Sequence, residues 1–157
     1  MESIKQIKDY LHKYRRMNTR LANLEDEIAT IKAILADVSV AISRYGTEPG
    51  GGSSELNAVE SAANQRLKVS QRLHELERER LELSGLLTRI DRALDMLDDR
   101  DRYIVKSHYI DGMRWQDIAA HCYYSEHGVR NRAYRALSAV SDMVSSGDMY
   151  QVKLWIT

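Results

Sequence analysis

Between Ile4 and Ile42 the apolar positions fall at Ile4, Ile7, Leu11 and Tyr14, then at Met17, Leu21, Leu24, Ile28, Ile31, Leu35, Val38 and Ile42. Steps alternating between three and four define a heptad seam, the signature of a helix with one apolar edge. The steps Leu11 to Tyr14 and Tyr14 to Met17 both span three residues, a stammer that overwinds a coiled coil locally. Beyond residue 54 the seam resumes at Val59, Ala62, Val69, Leu73, Leu76, Leu83, Leu87, Ile90, Leu94 and Leu97, with Arg66 and Arg80 occupying two of its slots. Between the runs lies RYGTEPGGGSS, residues 44–54, whose proline, glycines and serines predict a loop or short linker. Each run holds about 40 residues, ~60 Å of helix. Equal lengths and a short connection predict that residues 1–97 form a long antiparallel, coiled-coil-like hairpin, with 17–42 facing 56–81 and 4–14 facing 84–94. Two helices bury only one edge each, which would leave Ile34, Leu67, Leu81 and Leu86 exposed and points to a homodimer or to docking on a partner.

The pattern changes near Asp98. LDDRDRYIVKSHYIDG opens on acidic residues suited to a helix N-terminus, carries Tyr103, Ile104, Ser107, His108 and Ile110 around an apolar stripe, and ends at Gly112, a natural stop. One helix of about three turns is expected. Trp115 to Cys122 and then Ser125 toward Ser145 read as two more helices, giving a small three-helix domain over 98–145. In the last segment, 146–157, Tyr150, Val152, Leu154 and Ile156 alternate, consistent with a short strand, a strap over the core or a loose tail. The fold class is therefore all-α, a long hairpin followed by a three-helix domain.

In WQDIAAHCYYSEHGVRNRAYRAL, residues 115–137, Ile118, Ala119 and Cys122 share one face of the first helix, and Val129, Ala133, Ala136, Leu137 and Val140 share one face of the second. Ala119 is small where two helices cross, and Ser125 is placed to cap the second helix. About three residues separate the two, the spacing of a helix-turn-helix. The face left outward on the second helix carries Glu126, His127, Arg130, Asn131, Tyr134 and Arg135. That is groove-reading chemistry: arginine pairs with guanine, asparagine with adenine, and glutamate accepts from cytosine. Base reading is thus expected from Glu126, His127, Arg130 and Asn131, and phosphate contact from Arg114, Ser125, Arg132, Tyr134 and Arg135. Gly128 would let the backbone approach a duplex closely.

Bulk charge does not point the same way. The chain has 23 Lys plus Arg against 23 Asp plus Glu, so net charge gives no pull toward polyanions or membranes. Residues 98–148 carry seven basic and eight acidic side chains, but Arg114, Arg130, Arg132 and Arg135 fall where a groove-reading helix needs them. A second basic cluster, Lys5, Lys8, Lys13, Arg15, Arg16 and Arg20, meets only Glu2 and Asp9 in the first twenty positions. It suits phosphate contacts or a partner-facing helix end.

The segment LDDRDRYIVKSHYIDGMRWQDIAAHCYYSEHGVRNRAYRAL resembles the region-four helix-turn-helix of sigma factors, in the form found in phage transcriptional regulators of the ArpU and RinA kind. The residues that carry the resemblance are Leu97, Arg100, Arg102, Tyr109, Gly112, Trp115, Ile118, Ala119, Ser125, Val129 and Arg130. It covers roughly residues 97–140 and implies binding to promoter-region double-stranded DNA, with RNA polymerase as a further partner. The hairpin has no counterpart in it. Two positions depart from the family pattern: Tyr123 stands in place of the turn glycine and Cys122 in place of a leucine. Tyr123 would be strained if the turn demands positive φ.

Other chemistries have less support. One cysteine excludes a disulfide framework and a four-cysteine zinc site. His121, Cys122 and His127 lack a fourth ligand at finger spacing, no glycine-rich phosphate loop follows a strand, and the interleaved charge of HELERERLEL is that of a solvated heptad face. No enzyme activity, metal or cofactor is expected. With no apolar run near the ~18 residues that span a bilayer, a soluble protein of the bacterial host cytoplasm is expected. The alternative to DNA binding is an adaptor whose three-helix domain docks on polymerase or another protein.

Overall fold

The computed structural model describes residues 2–45 and 53–145, and every described element is helical. Helix α1 spans Glu2–Tyr45 and α2 Ser53–Asp95, the antiparallel pair foreseen from the two heptad runs. Helix α3 covers Asp99–Val105 and continues into a π-helical turn at Lys106–Ile110. Helices α4 (Trp115–Cys122) and α5 (Glu126–Ser145) follow. The centre of the glycine-rich connection, 46–52, and the alternating segment 146–157 lie outside the described residues.

Contacts group the chain into two compact units, 1–20 with 82–157, and 21–81. The sequence pattern alone puts a boundary at 97/98. The first twenty residues and the end of α2 instead share a unit with α3, α4 and α5 because their apolar edges are buried there. Ile7, Tyr10, Leu11 and Met17 of α1 and Leu83, Leu86, Leu87, Ile90, Ala93 and Leu94 of α2 are all buried. Leu86, expected to be exposed, is one of them.

In the 21–81 unit the seam is thinner. Leu24, Ile28 and Leu76 are buried, and Ala62, Val69 and Leu73 only partly so. Arg72 bonds Glu27 at 3.2 Å and Lys32 pairs with Glu77 at 3.5 Å, joining the two helices across their polar flanks. Neither seam arginine enters the core: Arg66 and Arg80 are exposed, and Glu79 is the buried charged residue. An arginine keeps its guanidinium in water by leaving the seam, at little cost in packing. Leu56, Leu67 and Leu81 are 70%, 58% and 71% exposed, as expected for one helix pair with a single buried edge.

Arg102 stitches the junction between α2 and α3. Its guanidinium donates to the carbonyls of Leu94 at 3.2 Å, Asp95 at 3.0 Å and Leu97 at 3.0 Å, at a helix end where backbone acceptors run short of intrahelical donors. Asp98 caps α3, accepting from the Asp101 N–H at 2.7 Å.

The three-turn helix expected to end at Gly112 changes pitch. Five-residue bonding in the π turn, closed by the Asp111 N–H on the Lys106 carbonyl at 3.0 Å, rotates the following residues. Ile104 and Val105 ahead of the turn and Ser107 and Tyr109 within it are inward, whereas Tyr103, His108 and Ile110 of the expected stripe are only partly covered. Gly112 ends the segment at φ +73, a conformation that favours glycine.

Helices α3 and α4 both pack on α5. The floor of that packing is Ile104, Val105, Ile118, Val129, Leu137 and Val140, each fully buried. Leu137→Ala should lower unfolding stability by about 2–5 kcal/mol, read from the denaturant midpoint of the helical circular-dichroism signal. A loss under about 1 kcal/mol would show that Leu137 is not part of a close-packed core.

Candidate nucleic-acid interface

The turn between α4 and α5 is three residues, Tyr123 to Ser125. Tyr123 takes φ 59 and ψ 36, the left-handed conformation that glycine adopts without penalty, and it closes α4 with its N–H on the Ala119 carbonyl. Its ring is 94% exposed, so no packing opposes the strained backbone, which costs about 1–2 kcal/mol. Cys122 is half-buried in the place of the leucine.

Ser125 begins α5 as expected: its Oγ accepts from the Gly128 N–H at 3.0 Å, and its carbonyl accepts from Val129 at 3.0 Å. A Cβ at Gly128 would come within 3.1 Å of that Oγ. The glycine thus has a local reason, room for the cap, in addition to any approach of a duplex.

The orientation of α5 is held from beneath. Arg132 donates through Nε to Asp101 at 2.7 Å and through Nη2 to Asp98 at 3.3 Å. The hydrogen bond to Asp101 raises its guanidinium above the ordinary arginine value. Its charged group also lies 5.6 Å from the Tyr124 ring centre, and Arg100 lies 4.9 Å from the same ring and donates to its hydroxyl. Arg132, expected on phosphate, is therefore turned inward: it lies on the flank of α5 that meets α3, where two carboxylates wait for it.

The remaining outward residues are where the helical pattern puts them. Arg130 pairs with Glu126 one turn earlier, and the Asn131 amide meets His127 Nε2 at 3.0 Å. His127, Arg130, Asn131, Tyr134 and Arg135 are exposed and Glu126 is partly so, while Val129, Ala133, Ala136 and Leu137 on the other side are buried. All four expected base-reading residues thus form one contiguous face, whose side chains are bonded to one another. Arg114 lies at the N-terminus of α4, 77% exposed, and binds Asp117 at 3.0 Å.

A ring cluster braces the start of α4. His108 stacks on Trp115 with centroids 3.6 Å apart, Tyr109 meets Trp115 edge-on at 6.0 Å, and His12 of α1 meets Tyr109 at 5.7 Å. His108 Nδ1 is 2.8 Å from the Met113 carbonyl. Burial depresses the His108 imidazole below its ordinary range, and the positive charges of His12, Arg130 and Lys8 lower it further, against the bond to Met113. His121 stacks on Tyr103 at 4.8 Å and His127 is engaged by Asn131, so His121, Cys122 and His127 each have ordinary surroundings.

Arg100, Arg102 and Tyr124 have clearer roles than sequence reasoning assigned to them. The signal was present in the opening LDDRDR: three carboxylates beside two arginines, too dense for one short helix to leave all solvated.

Residues 87–140 match the family model described as sigma-70, region 4. The match spans the end of α2, α3, the π turn, α4 and most of α5, and these elements form a sigma-region-four-like helix-turn-helix. Comparison with curated proteins and with solved structures returns no match.

Tyr123→Gly should raise stability by about 1 kcal/mol by relieving the left-handed turn, seen as a higher denaturation midpoint. A lower midpoint would mean that the tyrosine ring supplies a contact outweighing the strain. For His108 the folded imidazole binds its proton less readily than the unfolded one. Stability is then full above the ordinary histidine value of about 6.5 and falls as pH drops below it. In His108→Gln that part of the loss should vanish; parallel stability curves for the two proteins between about pH 7.5 and pH 5.5 would contradict it.

Proposed function

We propose that this chain is a phage or prophage transcriptional regulator, acting in the host cytoplasm, that binds promoter-region double-stranded DNA through α4 and α5. The observation that carries the reading is the outward face of α5, where Glu126, His127, Arg130 and Asn131 are contiguous while the opposite face is core. Glutamate, histidine, arginine and asparagine offer donors and acceptors suited to base edges in a major groove. Arg114, Tyr134, Arg135 and the N-terminus of α5 at Ser125 flank that face and suit phosphate contacts. Arg132 is left out of the contact set because its fork is engaged by Asp98 and Asp101. The match to sigma-70 region 4 supports a role in transcription, since such domains in general bind DNA and RNA polymerase. The helical pair formed by α1 and α2 would then dimerise the protein or hold polymerase. No catalytic role is assigned to any residue.

A second reading has one observation in its favour. Two cations of the motif are already paired, Arg114 with Asp117 and Arg130 with Glu126, as on a surface that docks protein rather than polyanion. These are exposed pairs worth about 0–1 kcal/mol each, easily exchanged for phosphate or base partners, so DNA binding is preferred.

Selection from a random duplex pool tests both. Recovery of a common site, with affinity falling steeply as salt rises, is the expected result. Arg130→Ala combined with Asn131→Ala should cost about 2–6 kcal/mol on that site and flatten the preference among sequences. Absence of any enriched sequence at moderate salt would leave the adaptor reading standing.

A further inference from the structure

Helix α1 carries a stripe of basic residues that the helix-turn-helix does not use. Lys5, Lys8, His12, Arg15 and Arg16 recur at steps of three and four and share one side of the helix, facing away from the buried edge of Ile7, Tyr10, Leu11 and Met17. Residues 2–20 of α1 belong to the same compact unit as α4 and α5, so the position of this stripe against the motif is defined.

Two contacts tie the stripe to the entrance of α4. His12 meets Tyr109, which in turn meets Trp115, the first residue of α4. Arg15 pairs with Asp111, three residues before Arg114, and its side chain remains 74% exposed. The start of α4, beside Arg114, has no side-chain cap. In a helix-turn-helix this first helix crosses the DNA backbone while the second enters the groove.

Electrostatics agree with that placement. Lys8 of α1 and Arg130 of α5 both lower the His108 imidazole, so basic residues of the two helices lie within electrostatic reach of one ring. Lys8 and Arg16 have no ion-pair partner among the described residues. In a chain of zero net charge, like charges gathered in one place raise the free energy of the isolated protein, and a polyanion across them offsets that repulsion.

We propose that the first turns of α1 are a second DNA-contacting element, in which Lys8, His12, Arg15 and Arg16 hold the sugar-phosphate backbone alongside the N-terminus of α4, outside the groove read by α5. The element adds affinity and no base preference. It rests on the DNA-binding reading given above, and it extends the footprint beyond the half-turn that α5 covers.

The test uses the full chain and the duplex recovered by selection, with a scrambled duplex beside it. Lys8→Ala combined with Arg16→Ala changes two residues outside the buried edge, and unaltered helical content and melting confirm the fold. Binding to both duplexes should weaken by a similar factor, about ten-fold at ~0.1 M salt, and the slope of log affinity against log salt should shrink by about 2. Hydroxyl-radical protection should recede at one flank of the site, and Lys8→Arg with Arg16→Lys should restore it. Wild-type affinity, slope and footprint in the alanine variant overturn the proposal while leaving the α5 reading intact, provided Arg130→Ala with Asn131→Ala still abolishes selectivity. A wild-type chain that binds neither duplex overturns both.

Discussion

The pairing of Arg132 with Asp98 and Asp101 is the constraint on which the geometry of the motif depends. Asp98 also caps α3, and Asp101 supplies the N–H that this cap receives, so one arginine of α5 reads the start of α3 through two carboxylates. Apolar packing alone would allow α5 to slide or roll by a fraction of a turn over Ile104 and Val105. A guanidinium fork on two fixed oxygens does not allow it, because hydrogen bonds are directional where dispersion is not. Tyr124 completes the lock by lying against both Arg100 and Arg132. The left-handed Tyr123 is then intelligible: the chain must reverse in three residues to deliver Tyr124 to those arginines, and the strain is offset by what the reversal brings together.

Much of this was legible from residue order. Heptad spacing located both long helices, Ser125 announced the start of α5, and the i, i+3, i+4 pattern sorted its inner face from its outer one. The misreadings share a cause. Arg66 and Arg80 were placed in the seam, and Leu86 outside it, because periodicity assigns positions without knowing how many helices gather around each stretch. Leu86 is buried where α1, α2 and the three short helices form one unit, and Leu67 and Leu81 are exposed where only two helices exist. Arg132 was assigned to phosphate because residue type names its chemistry but not its partner. Only the three-dimensional placement of Asp98 and Asp101, 34 and 31 residues earlier, decides that this arginine faces inward.

Charge shows the same distinction between inventory and arrangement. Equal numbers of acids and bases conceal an uneven surface, in which carboxylates at the start of α3 are engaged by Arg102 and Arg132 while α1 keeps a basic stripe. On α5 the outward groups satisfy each other, Arg130 through Glu126 and Asn131 through His127. These exposed pairs are weak, so the same groups can exchange one another for an outside partner at little cost.

The π turn at Lys106–Ile110 carries a consequence for how this chain is compared with others. A five-residue hydrogen-bonded turn accommodates one residue more than an α-helical path between the same two ends. In an unbroken α-helix the residues that follow the turn would therefore be reached one position earlier in the chain. A chain lacking the extra residue would need a one-residue gap within 106–110 to be aligned with this one. The same surplus makes the segment a natural place for an insertion or deletion to be absorbed, since removing one residue returns the turn to α-helical bonding and leaves α4 and α5 their own register.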